Sequence, residues 1–234
     1  METASVHKGH RERLKQRFLE EGLDHFTDVQ VLELLLFYAI PQKDTNPIAH
    51  ALLDHFGSLS QVLDAPVEEL RKVTGIKDNA ATLLALVTQL CRYYQVDSAQ
   101  RVEILNSLEA CGNYLVPRFF GRTRETVFLL CLDAKCKVIC CKELGEGSVN
   151  AASISIRKVV EMALGSNATS VVLAHNHPSG LALPSEEDVL TTKRLYMALQ
   201  AVDIVLADHM VVADGDYVSM AQSPKYDFRV TPIF

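Results

Sequence analysis

The apolar residues change period partway along the chain, and this limits the possible folds more than any other feature. Before about residue 96 they recur with helical spacing. "RERLKQRFLEEGL" sets Leu14, Phe18 and Leu23 among charges, "DVQVLELLLFYAI" is compactly apolar, and "NPIAHALLDHFG" opens on Asn46-Pro47 and stops at Gly57. Beyond about residue 106, short apolar runs alternate with turn residues, which is the pattern of strands. "TVFLLCLDAKCKVICCKEL" predicts two strands around a turn at Asp133 to Lys135, "SVVLA" a short buried strand, and "DIVLADHMVVADGDYVSM" a hairpin around Asp214-Gly215. Helices are expected between them at about Arg157 to Leu164 and Glu186 to Gln200. Helices first, then a sheet covered by helices, define an α+β chain. The expected organisation is an all-helical domain over residues 1–96, a polar connection over 97–106 and a sheet domain over 107–234.

A length of 234 residues with 48% hydrophobic content suffices for two cores. No apolar run approaches the roughly 20 residues that cross a bilayer, and "METASVHKGHRERLKQRF" lacks the apolar stretch of a secretory signal. The expectation is a cytoplasmic protein with no membrane partner. Six cysteines fit a reducing compartment: Cys131, Cys136, Cys140 and Cys141 lie in strand-like segments, where a thiol acts as a small hydrophobe. A zinc site made by Cys136, Cys140 and Cys141 is disfavoured, because their spacing matches no common finger. The net charge of -6, with 10 Lys+Arg against 13 Asp+Glu over residues 1–95, argues against an extended surface for polyanions.

One local exception lies in the helical half. A helix over Val67 to Val73, a turn at Thr74 to Lys77 and a second helix carrying Leu83, Leu84, Leu86, Val87 and Leu90 resemble a helix-hairpin-helix module. Such a turn can offer backbone amides to a DNA phosphate. Lys77 stands where the module's second glycine is usual, and its ammonium can meet phosphate as a point charge. DNA contact through this domain and a plain helix-packing role both remain open.

The stretch with the most chemistry is "AHNHPSGLALPSEED", Ala174 to Asp188. Alternate residues of a strand face the same side, so His175 and His177 can converge on one point. Pro184 and Ser185 read as a helix entry, with Asp188 in its first turn. Ser185 and Asp188 alone also fit a capping box, although that motif prefers Glu or Gln at its last position because Asp is short for the reach back. Capping explains neither histidine. Two imidazoles and one carboxylate suit a borderline divalent ion such as zinc, with a fourth position left for water, which suggests catalysis.

The array His175-x-His177-x7-Ser185-x2-Asp188 resembles the JAMM signature of JAB/MPN metalloproteins. "HNHPSG" with the later "DHMVV" is similar to their RadC-like branch, as are "HRERLKQRFLEEGL" and the hairpin of the first half. The resemblance implies a JAB/MPN sheet domain of cytidine-deaminase-like architecture, one catalytic zinc ion held by His175, His177 and Asp188, and hydrolysis of a peptide or isopeptide-like amide. It implies Glu125, just before the strand in "TRETVFLLCLD", as the group that handles the water's proton, and Ser185 as oxyanion support. Read without the resemblance, Glu125 is an exposed charge at a strand edge. Glu143, Glu146 and Glu161 rank lower as the base, the first two as loop residues and Glu161 as part of a helical face. Asp208-His209 suggests a structural role or a carboxylate orienting a ligand imidazole. Arg157 can bind a substrate carboxylate or simply a neighbouring acid. Asn176, Pro178, Ser179 and Gly180 shape the turn, and His7, His10, His25, His50 and His55 are solvated or packing residues. A scaffold of DNA metabolism with a metal-bound, non-proteolytic domain is the alternative function.

Overall fold

The computed structural model describes residues 9–99, 104–147, 155–178 and 180–229. His7 and Ser179 lie outside them. The chain forms two compact units, Met1–Leu90 and Cys91–Phe234.

The first unit is helical: α1 (His10–Glu21), α2 (Asp28–Ala39), α3 (Asn46–Phe56), α4 (Leu59–Asp64), α5 (Val67–Leu70) and the start of α6 (Asp78–Ala99). Local chemistry sets the ends. Thr27 and Gln30 close a capping box on α2, Gly57 ends α3 at φ 93°, and Ser58 caps α4 at once. Leu32, Leu36, Leu52, Val62, Leu70 and Leu84 form the centre of the buried core. The helix expected over Val67 to Val73 stops at Leu70. Val73 and Ile76 are both buried in the core, and the reversal between α5 and α6 uses Gly75 at φ +97°, so the last turn is given up to bring both side chains inward. Two cations of this hairpin are already paired, Arg71 with Asp78 at 2.9 Å and Lys72 with Glu69 at 2.6 Å. Helix α6 continues through Ala99, so the first residues of the expected connection are helical.

The second unit is built on a five-stranded mixed sheet in the order β2-β1-β3-β4-β5. Its strands are β1 (Glu125–Leu132), β2 (Val138–Gly147), β3 (Ser170–Asn176), β4 (Val205–Ala213) and β5 (Asp216–Ser219), with β3 and β4 parallel and the other neighbours antiparallel. Before the sheet come α7 (Leu108–Leu115) and a 3-10 turn at Val116–Phe119, which the sequence reading does not contain although Cys111, Tyr114, Leu115 and Phe119 are buried at helical spacing. Helices α8 (Ile156–Gly165) and α9 (Glu186–Gln200) fall where they are expected. Alternation along the strands gives the sheet two buried faces. Phe128, Leu130, Val172, Ala174 and Met210 pack with α7 residues, whereas Val127, Leu129, Val171 and Leu173 pack with Val159 of α8 and Leu195 of α9.

The cysteines are all free, and Cys131 pairs in register with Cys140. Cys136 is not in a strand: it occupies the turn between β1 and β2 at φ 59°. The turn is closed by Asp133, whose carboxylate accepts the amides of Lys135 and Lys137 at 2.8 and 2.9 Å. No helix of the described residues is long and apolar enough to cross a membrane.

Candidate metal centre

Strand β3 supplies the first candidate ligand, and the sheet's register fixes its direction. His175 lies opposite Val127, so its side chain leaves the sheet on the face covered by α8 and α9. The amide of His177 donates to Val212 O at 2.8 Å, which carries the pairing with β4 one step past the strand and leaves His177 on that same face. Asp188 arrives from the first turn of α9. The ligand atoms of His175, His177 and Asp188 lie within 4.8 Å of one another, the one such group of histidine, cysteine and acidic side chains among the described residues. His175 Nε2 is 3.0 Å from His177 Nε2 and 3.3 Å from Asp188 Oδ1, and His177 Nε2 is 3.5 Å from Asp188 Oδ2. Side-chain exposures of 1% for His175 and 2% for Asp188 against 16% for His177 open the site to solvent on the His177 side.

The nitrogens facing away from the centre are already engaged. His177 Nδ1 lies 3.1 Å from Leu181 O, an acceptor without a proton, so Nδ1 donates and neutral His177 turns a bare Nε2 inward. His175 Nδ1 lies 2.9 Å from His209 Nε2. Two ring nitrogens and a carboxylate thus crowd one small volume, and only a shared positive charge relieves them. The electrostatics of the three groups point the same way. The hydrogen bond to Asp188 holds His177 above its ordinary value against the opposing effect of burial, and the charge of Glu125 adds to the rise. Burial alone would raise the Asp188 carboxyl, but the hydrogen bonds from His175 and His177 outweigh it and keep it far below the carboxylate range.

Asp188 also serves its helix. Its Oδ2 accepts the Ser185 amide and the Ser185 hydroxyl, each at 2.7 Å, while its own amide donates to Ser185 Oγ at 3.1 Å. The capping box that Ser185 and Asp188 are expected to fit is therefore complete, with Asp in the position that usually holds Glu or Gln. Capping and ligation are not alternatives here, since Oδ1 faces His175 while Oδ2 closes the cap. Ser185 itself is exposed, and its one hydroxyl hydrogen is directed at Asp188 Oδ2.

Glu125 is half-buried at the first position of β1, two residues before Val127, and so points from the same face as His175. Its Oε2 is buried without a hydrogen-bond partner among the described residues. It is held there by a residue to which the sequence reading assigns only turn geometry. Asn176, 5% exposed, accepts the Thr126 amide at 2.7 Å and donates to Arg124 O at 3.2 Å, clamping the backbone on both sides of Glu125. Its place at the end of a strand beside two ligands was the available signal. Among the rival carboxylates, Glu143 pairs with Arg122 at 2.9 Å and Glu161 with Arg157 at 2.7 Å, which also gives Arg157 its acidic neighbour. Of the Glu146 side chain nothing is described.

The Asp208-His209 pair differs from the expectation in one respect. The imidazole of His209, not the carboxylate of Asp208, touches His175. Asp208 is fully buried and uses Oδ1 to accept the amides of His209 and Ala221 at 2.7 and 2.9 Å, and burial raises its pKa.

Two imidazoles and a carboxylate converging at the end of the central strand of a helix-covered mixed sheet form a group that could hold a metal ion. Comparison with known proteins names the family. Residues 105–225 match the RadC-like JAB domain, and residues 7–82 match the UPF0758 N-terminal family. A UPF0758 protein of Paraburkholderia xenovorans (strain LB400) is 35% identical over 209 residues, 89% of this chain and 83% of that relative. The chain belongs to the RadC-like JAB domain family.

Proposed function

We propose that the protein is a JAMM-type metallohydrolase that cleaves a peptide or isopeptide-like amide bond. One observation supports this above the others: three acceptor groups, His175 Nε2, His177 Nε2 and the Asp188 carboxylate, converge within 4.8 Å, while Glu125 projects from the same sheet face. The donor set fits zinc, a borderline ion that takes imidazole and carboxylate and in hydrolases keeps a position open.

His175, His177 and Asp188 would hold the ion, which when bound supplies Lewis acidity to water and to the substrate carbonyl. Glu125 takes the proton as the water oxygen bonds to the carbonyl carbon, and returns it to the nitrogen as the carbon–nitrogen bond breaks. Its buried Oε2, unpartnered among the described residues, is suited to that work, because no hydrogen bond to them has to break first. The Ser185 hydroxyl donates to the carbonyl oxygen as charge develops there, for which it turns away from Asp188 Oδ2. The half-buried His177 marks the side from which substrate enters.

A metal-bound, non-proteolytic scaffold would use the same acceptor set but would not require a buried carboxylate oxygen without a hydrogen-bond partner among the described residues on the same sheet face, so Glu125 favours hydrolysis. The test is metal content after purification without added ions. Wild type and Glu125→Gln should carry about one equivalent of zinc, His175→Ala and Asp188→Ala far less, and Glu125→Gln should lack activity on peptide and isopeptide libraries. Four folded proteins with equally little zinc would overturn the reading.

A further inference from the structure

One turn beyond Asp188, helix α9 carries Thr192, which is fully buried, as is His209 on β4. Thr192 Oγ1 lies 2.5 Å from Asp188 O and 2.5 Å from His209 Nδ1. His209 Nε2 lies 2.9 Å from His175 Nδ1. These contacts join two of the candidate ligands through a route that avoids the metal centre.

The direction of each bond follows from one fixed point. A backbone carbonyl can only accept, so the Thr192 hydroxyl donates to Asp188 O; otherwise two oxygen lone pairs would confront each other at 2.5 Å. The hydroxyl has a single hydrogen. Oγ1 must therefore accept from His209 Nδ1, which carries its proton there. The His209 ring is fully buried, and its contacts among the described residues are Thr192 and His175 with no carboxylate against it, so one ring hydrogen serves Nδ1 and Nε2 is bare. That bare nitrogen accepts from the Nδ1–H of His175, which turns Nε2 of His175 toward Asp188 and His177. Met220 Sδ, 3.7 Å from Thr192 Oγ1, is the competing acceptor, but thioether sulfur is weak and choosing it would leave the carbonyl clash unrelieved. The His209 backbone is pinned by its amide bond to Asp208 Oδ1 at 2.7 Å and by the Met220 amide on His209 O at 3.0 Å.

We propose that Thr192 and His209 form a fixed hydrogen-bond relay that locks His175 in its Nδ1–H tautomer and so presents Nε2 to the metal. Both are positioning residues, and the relay rests on the reading of His175 as a ligand. The order runs from Asp188 O through the Thr192 hydroxyl and the His209 ring to His175. Since the relay starts at the backbone of Asp188, it also sets the distance of α9 from β3, and thereby the separation of the two ligands.

The first test reads the tautomers directly, from the nitrogen-15 and carbon-13 shifts of the histidine rings in zinc-free protein at about pH 8, above the free-histidine range. His209 should be protonated on Nδ1 and bare on Nε2, with His175 protonated on Nδ1. The opposite order in wild type overturns the proposal. The second test measures zinc affinity by competition with a chromophoric chelator. Thr192→Val, of equal shape but without the hydroxyl, should bind about 10- to 100-fold more weakly, in line with other groups that orient metal ligands. Thr192→Ser should restore most of the affinity, and His209→Gln, whose amide oxygen can replace Nε2 as acceptor, should exceed His209→Leu. Wild-type affinity in Thr192→Val, or equal losses in the two His209 variants, would refute the relay. If wild type itself binds no zinc, the hydrolase reading falls, while the tautomers of the zinc-free protein still decide the relay. Should Thr192→Val fail to fold, the wild-type spectrum and the serine variant decide alone.

Discussion

Asp188 does two jobs with one carboxylate, and the two can be separated by substitution. Asp188→Ala removes the acceptor of the Ser185 amide and hydroxyl bonds, both 2.7 Å, but leaves Ser185 Oγ able to receive the amide of residue 188. Half the box survives, so the capping share of the loss in chelator should be about 1 kcal/mol, mid-range for an N-cap, with the contacts to His175 and His177 lost in addition. Asp188→Asn keeps an amide oxygen for the Ser185 amide and should lose less. With metal the ranking changes. A ligand at 100 times its dissociation constant stabilises the native state by about 2.7 kcal/mol, which for a unit of this size raises the melting midpoint by about 5–11 °C. Wild type should show that shift on adding zinc after chelation, and neither variant should, because both lack the anionic ligand. Differential scanning fluorimetry in chelator and in zinc gives all six midpoints. Equal chelator midpoints for the Ala and Asn variants would refute the capping role, and a wild-type zinc shift in either variant would refute the ligand role.

Asn176→Ala should retain zinc but lower turnover as Glu125 loses its clamp, and leaving the buried Thr126 amide unpaired should destabilise the protein by about 1–3 kcal/mol in urea titrations. Gly75→Ala should destabilise the helical unit by about 1–3 kcal/mol, because its φ is +97° and an added Cβ would lie 2.8 Å from Ile48 Cδ1; an unchanged urea midpoint would exclude this strain. Burial pushes the Cys131 thiol up to about 12 and those of Cys111 and Cys141 up to about 11, so in native protein at pH 8 all three should resist iodoacetamide, while exposed Cys91 is modified first, as peptide mass mapping would show.

The fold was legible where periodicity and turn chemistry agree. The Asp214-Gly215 hairpin, the run from Ser170 and the helix opening at Glu186 all lie where pattern and punctuation coincide. Helix α7 escaped because its buried residues begin near an irregular connection and end in a 3-10 turn containing Pro117, so no long period announces them. The site was legible in part for a different reason. His175, His177, Ser185 and Asp188 are close in sequence, so strand alternation and helix capping suffice to bring them into one argument. Asn176 and His209 make their contacts across β1 and β4, at sequence separations of 50 and 34, and nothing local encodes those distances. Local pattern names the groups that can touch an ion. Sheet register decides which neighbours hold those groups still, and in this protein it assigns that work to a side-chain amide and a neutral imidazole, residue types whose role a sequence alone leaves open.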